Sequence, residues 1–178
     1  MVIIVDGKKI AKNIQNDLAL YTHTLKEKIS FDIIYVGSDP VIDTFVKYKQ
    51  QFGKKIGVDV RVHNFDSLIS EDELLAEITT ISDANSAMIV QLPLPDHLDR
   101  QKILDAVPVE KDVDVLGAQT RELFSDSETQ FLPAVAGSIV KIIEYHSINL
   151  HNKNIVLIGS GTLVGYPMSL WLDRSGYS

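Results

Sequence analysis

The chain has 178 residues, 45% of them hydrophobic and 23% charged, with ten Gly, six Pro and no Cys, which is ordinary globular composition with apolar mass for one full core. The net charge of -7 leaves no basic stripe to neutralise phosphates and so argues against nucleic-acid binding, and without cysteine there are no disulfides, thiolate metal sites or cysteine nucleophiles. No apolar run is long enough to span a membrane, and MVIIVDGKK places its apolar residues before its basic ones, the reverse of a secretory signal, so a cytoplasmic protein is expected.

In chain order, Val2–Val5 reads as a buried first strand. Ile10, Ile14, Leu18, Tyr21 and Leu25 then recur at three- and four-residue spacing, one apolar stripe on a helix. Ile33–Val36 is the next β-branched strand, followed by a helix carrying Phe45, Val46, Phe52 and Ile56, and then a strand at Val58–Val62. Ser70 with Glu73 makes a capping box that opens a third helix through Leu74, Leu75, Ile78 and Ile81. Met88–Val90 is a short buried strand, and strands alternating with helices imply βαβ units in a mostly parallel sheet. From Pro108 to Pro133 the periodicity weakens into a loop-rich stretch, a type that is usually functional in compact domains. Ala136, Ile139, Val140 and Ile143 restore a helix ending near Tyr145, and the domain boundary is expected there or in the connection after it. The last strand expected is Ile155–Ile158.

That strand runs into Gly159-x-Gly161-x-x-x-Gly165 and a helix-like segment, Met168–Leu172. Glycines so placed permit a tight turn and let backbone N–H groups approach a phosphate at a helix N-terminus. The last spacing is one residue longer than the usual pattern, so the preceding strand carries much of the inference. A ribose-reading acid belongs about twenty residues after the glycines, which falls just beyond Ser178. Only the first strand and helix of a dinucleotide unit are therefore expected within this sequence.

Phe45 and Lys49 share a helix face at i and i+4, where spacing alone favours a solvated lysine. Gln91 follows a strand directly and so stands at the carboxyl end of a parallel sheet, where ligands bind in open α/β folds. Asp112 and Asp114 alternate, pointing to opposite sides if the segment is extended. The five histidines have no metal spacing, and neither a G-x-S-x-G elbow nor an H-E-x-x-H pair occurs. No metal is expected.

Taken in order, VGSDPVIDTFVKYKQQFGKKIGV (Val36–Val58), MIVQLPLPDHLD (Met88–Asp99), PVEKDVD (Pro108–Asp114), FLPAVAGSIVKIIEY (Phe131–Tyr145) and VLIGSGTLVGYPM (Val156–Met168) resemble the FolD family of bifunctional methylenetetrahydrofolate dehydrogenase/cyclohydrolases, over nearly the whole chain. The resemblance implies an α/β protein: an N-terminal parallel-sheet catalytic domain (residues 1–147) followed by the truncated start of a Rossmann-type dinucleotide-binding domain (residues 148–178). It implies tetrahydrofolate derivatives as substrates, oxidation of the methylene form with NADP or NAD and hydrolysis of the methenyl form. It also implies a homodimer. By the same resemblance Lys49 is the central catalytic residue, Gln91 holds it and Asp114 binds the pterin, while Phe45, Leu92, Pro93 and Val135 face substrate. Gly159, Ser160, Gly161, Thr162 and Gly165 face the cofactor, which this 178-residue chain is expected to bind weakly or not at all.

Four departures from the family pattern stand at positions expected to face ligands. Phe45 replaces a tyrosine, Val115 a glycine, Ala134-Val135-Ala136 a Cys-Thr-Pro, and Ser160 the arginine that favours a 2′-phosphate. They imply a weak NADP preference at most, and they motivate an alternative, a catalytically impaired folate-binding or interaction protein of the same fold.

Overall fold

The computed structural model describes residues 4–82, 86–126 and 131–177. Its elements are α1 (Gly7–His23), β1 (Ser30–Val36), α2 (Pro40–Lys55), β2 (Asp59–Phe65), α3 (Glu71–Ser82), β3 (Ser86–Val90), α4 (Arg100–Asp105), α5 (Ala118–Ser125), α6 (Ala134–Tyr145) and α7 (Gly165–Arg174). The strands form one parallel sheet in the order β2-β1-β3, with Ser30 opposite both Asp59 and Ser86.

This order dictates the layers. The chain steps from β1 to its neighbour β2, then returns past β1 to β3. Right-handed crossovers in opposite directions place their helices on opposite faces of the sheet. Accordingly Ile33, Tyr35 and Ile89 pack with Val46 of α2 on one face, while Ile34, Val36, Met88 and Val90 pack with Leu74 and Ile78 of α3 on the other. Leu98, Ile103 and Leu104 from α4 and the turn before it complete the second layer. Ile33–Val36 of β1 and Met88–Val90 of β3 are apolar on both sides because each face is covered there, whereas β2 at the edge turns Arg61 and His63 to the buried Asp32 of β1.

Helix α2 lies close against β2. A Cβ added at Gly53 would meet Val60 Cγ2 at 2.2 Å, so glycine inside this helix serves close approach. The start of α2 is held firmly. The Asp39 carboxylate accepts from the N–H groups of Val41 (2.8 Å) and Ile42 (3.0 Å), and Pro40 occupies the first turn. The buried Tyr35 hydroxyl accepts the Asp39 N–H at 2.6 Å and donates to Asp43 Oδ1 at 2.7 Å. The capping box of α3 forms as expected, with Ser70 Oγ donating to Glu73 Oε2 at 2.7 Å and Ser70 N–H donating to the same oxygen at 3.1 Å.

The α/β class holds, and three local expectations change. Val2 and Ile3 lie outside the described residues, while Ile4 and Val5 are exposed and in no strand. Ile155–Ile158 forms no strand: among the described residues none pairs with it, and Ile158 is 99% exposed. A β-branched run supplies propensity, but a strand needs a partner for its backbone groups. The stretch from Pro108 to Pro133 contains a helix, α5, although it reads as loop in the sequence. Helix α7 follows the glycine turn and shares a small cluster with α6 through Ala136, Val140 and Met168.

Candidate active site

Gln91 is the first residue after β3, and its N–H continues the ladder to the Ile34 carbonyl at 2.8 Å. It therefore stands at the carboxyl edge of the sheet, in the crevice where the strand order reverses, the usual ligand position in such folds. Lys49 lies about two and a half turns into α2, and its Nζ donates to Gln91 Oε1 at 2.9 Å. The other end of the amide, Nε2, donates to the Leu92 carbonyl at 2.9 Å, so the amide oxygen is turned toward the lysine. The Leu92–Pro93 peptide is cis.

Asp114 arrives from the segment beyond α4. That segment is pinned to β3 by the Met88 N–H to Lys111 carbonyl bond (2.8 Å) and by a bridge between Met88 and Asp112. The buried Asp112 carboxylate accepts the N–H groups of Leu116 (3.0 Å) and Gly117 (2.8 Å). This turn leaves Asp114 near Lys49 without a nitrogen–oxygen contact inside 4.0 Å. Burial pushes the Lys49 ammonium below the usual lysine range, opposed by attraction to Asp114. Burial likewise pushes the Asp114 carboxyl up, opposed by Lys49 and reinforced by Asp112. In both groups desolvation outweighs attraction, so each is biased toward its neutral form.

Phe45 lies one turn before Lys49, 56% exposed, so its ring is open to solvent beside the lysine. Leu92 and Pro93 line a cleft of about 520 Å³ beside the cis peptide. Val135 stands in the first turn of α6, which packs on α1 and α7, and its side chain is half exposed. Val115 is not a ligand-facing departure: it is 2% exposed, with φ at 57°. Lys49, Gln91 and Asp114 are thus brought together, with Phe45 alongside and Val135 on another element.

The glycine turn is formed. Gly159 has φ of 96°, and a Cβ at Gly165 would strike the Gly159 carbonyl oxygen at 2.1 Å. At Gly159 and Gly161 a Cβ would instead meet nothing within 4 Å, so both open onto a cleft of about 450 Å³ that Thr162 and Gly165 also line. Ser160 is exposed at the tip. Helix α7 begins without a side-chain cap; Tyr166 N–H donates to the Gly161 carbonyl (3.1 Å), Met168 N–H donates to the Val164 carbonyl (3.0 Å) and Pro167 has no N–H, so the Gly165 N–H is the first-turn donor left for an acceptor from outside. The open space at Gly159 and Gly161 and the Gly165 N–H are the features of this turn that suit a phosphate oxygen.

The family model of the tetrahydrofolate dehydrogenase/cyclohydrolase catalytic domain matches residues 5–114. The chain belongs to this family. The bifunctional protein FolD of Nautilia profundicola is 35% identical over 170 residues, covering 93% of this chain and 60% of that protein. In structure, the bifunctional FolD methylenetetrahydrofolate dehydrogenase/cyclohydrolase of Campylobacter jejuni matches with a TM-score of 0.90 at 31% identity, over 96% of this chain and 62% of the other. A 5,10-methylenetetrahydrofolate dehydrogenase from the silkworm Bombyx mori matches with a TM-score of 0.91, also at 31% identity, over 97% and 61%. The chain therefore spans about three-fifths of the length of the relatives it matches. Among the described residues, no helix is long and apolar enough to cross a membrane.

Three elements of the site escape sequence reading: the short α4, α5, and the Asp112 carboxylate that shapes the turn before it. The only local cues are Asp99 ahead of α4, which caps it, and Gly117 ahead of α5.

Proposed function

We propose that this chain carries the substrate side of tetrahydrofolate one-carbon interconversion, with residues 1–147 as the folate-binding catalytic unit and 148–178 as the start of the cofactor unit. The observation that carries the reading is the Lys49 Nζ to Gln91 Oε1 hydrogen bond beside a half-buried Asp114 whose carboxyl is pushed up by desolvation. Hydrolysis of the methenyl bridge requires water to add to the bridging carbon and lose one proton. The second proton of that water then moves to the departing ring nitrogen as its bond to carbon breaks, leaving the 10-formyl product. A lysine whose ammonium is destabilised by burial gives up its proton more readily than a solvated one, and its free amine can take the first proton and hand one on. Gln91 orients the amine without adding a charge that would hold it protonated. Asp114 offers the pterin edge a carboxyl group, and Leu92, Pro93 and Phe45 supply apolar surface for the rings. Gly159, Ser160, Gly161, Thr162 and Gly165 would hold NADP or NAD, which when bound would supply the hydride acceptor for the methylene carbon.

The deciding experiment is loss of methenyl-tetrahydrofolate absorbance with the purified chain, measured above the spontaneous rate. Turnover is expected, Lys49→Ala should abolish it, and Lys49→Arg should be nearly as damaging because guanidinium keeps its proton. Turnover by Lys49→Ala at the parent rate would dismiss this site. Phe45 lacks a hydroxyl beside Lys49, which favours one second reading: folate binding without turnover in the parent would make this a catalytically impaired folate binder.

A further inference from the structure

Given the nucleotide reading above, on which this rests, we infer that Arg100, in the first turn of α4, is the cation that holds the pyrophosphate of the cofactor in the cleft it shares with the glycine turn. The cleft onto which Gly159 and Gly161 open is lined by the turn, by Met168 and by the exposed Arg100. Its remaining lining is apolar or neutral, so Arg100 is its charged residue among those described. A pyrophosphate at this turn meets the α7 N-terminus, equivalent to roughly half a positive charge, and the neutral Thr162 that also lines the cleft. Neither balances a dianion.

The guanidinium is free to supply the missing charge. Among the described residues it has no hydrogen-bond or ion-pair partner. Its neighbour Asp99 is engaged in capping α4, accepting the N–H groups of Gln101 (2.9 Å) and Lys102 (3.1 Å). Asp96 borders the adjoining cleft but makes no contact with Arg100 within 4.0 Å.

Position selects the pyrophosphate over a 2′-phosphate. Arg100 also lines the adjoining cleft of Leu92, Pro93 and Leu94, so it stands between the glycine turn and the loop that begins at Gln91. A dinucleotide running from the turn toward Lys49 passes Arg100 with its pyrophosphate. The 2′-hydroxyl or 2′-phosphate of the adenosine lies at the opposite end, near the second strand of the unit. A guanidinium matches two phosphate oxygens in a fork. Arg100 therefore binds NAD and NADP alike and does not replace the discriminating arginine absent at Ser160.

The test is titration of the full chain and its Arg100→Gln and Arg100→Lys variants with NAD and with NADP, followed by calorimetry and ligand-observed NMR into the millimolar range. Arg100→Gln should weaken both nucleotides by the same factor, about ten- to a hundredfold, with an unchanged melting temperature, and Arg100→Lys should restore part of the loss. A loss confined to NADP would make Arg100 a 2′-phosphate reader and overturn the inference, as would equal affinity in Arg100→Gln and parent. If the parent binds neither nucleotide, the inference and the nucleotide reading fall together, while folate turnover stands as a separate result.

Discussion

Replacing Val115 by glycine tests whether the turn that presents Asp114 is strained. Val115 holds φ at 57°, a left-handed conformation that costs a residue with a Cβ about 1–2 kcal/mol. Its side chain is 2% exposed, and full burial of a valine contributes about 1.5–3 kcal/mol. Glycine would recover the strain, lose the burial and add about 0.5–1 kcal/mol of chain entropy. The midpoints combine to a net loss of about 1.5 kcal/mol. The control is Val90→Gly, which deletes an equally buried side chain (3% exposed) from a regular strand. With no strain to recover, it should cost about 3 kcal/mol or more. Urea denaturation followed by circular dichroism measures both. The difference between the two variants is the strain itself, expected at about 1–2 kcal/mol. If Val115→Gly costs as much as Val90→Gly, the turn is unstrained and the reasoning fails; if Val115→Gly is more stable than the parent, the burial term has been overvalued.

Gly53→Ala should destabilise by about 1–3 kcal/mol, although alanine is the better helix former, because the new Cβ would meet Val60 Cγ2 at 2.2 Å; a rise in melting temperature would mean that α2 can lift off β2 freely. Lys49→Met should raise stability near pH 7, since burial outweighs the attraction of Asp114 in depressing the lysine. A depressed folded pKa contributes stability that is present above the unfolded value of 10.5 and lost as pH falls through the folded one. The advantage of the variant should thus shrink as pH rises toward 10.5, and a less stable variant at pH 7 would contradict the assignment. Arg174→Ala should release α7 from the end of α5, because Arg174 donates to the Phe124 and Ser125 carbonyls and its guanidinium lies 4.7 Å from the Phe124 ring centroid. Hydrogen exchange should quicken in α7 while the sheet keeps its protection, and uniform loss across both would show that they unfold as one unit.

The legible parts of the fold were those whose signals are local. Ile33–Val36 and Met88–Val90 are buried β-branched runs, and Ser70 with Glu73 forms its capping box. Helices α4 and α5, of six and eight residues, are shorter than the window over which a helical period is counted. Ile155–Ile158 carries strand propensity, but propensity cannot provide a neighbour. At the site, spacing alone left Lys49 a surface lysine, because its hydrogen-bond partner lies 42 residues away in sequence. Only the five motifs taken in order linked Lys49, Gln91 and Asp114. Val115 shows the limit of that route: the resemblance identified a departure from glycine, whereas its consequence, a strained backbone, depends on a dihedral angle that no pattern states.

The choice of glutamine at position 91 follows from the electrostatics around it. A carboxylate 2.9 Å from Lys49 Nζ would form an ion pair in a desolvated crevice, raising the lysine's pKa and opposing the depression that burial produces. A methyl-bearing side chain would leave a half-buried amine without this acceptor, at part of the cost of desolvating it. An amide satisfies the geometry at no net charge, and its own N–H group is fixed by the Leu92 carbonyl, so its oxygen cannot turn away from the lysine without giving up that bond. The negative charge of the site is left to Asp114, which acts on Lys49 from beyond 4.0 Å and is itself weakened by burial and by Asp112. Lys49 is therefore positioned by a neutral partner while burial outweighs the attraction of a charged one, the combination that eases loss of its proton while its amine stays in place.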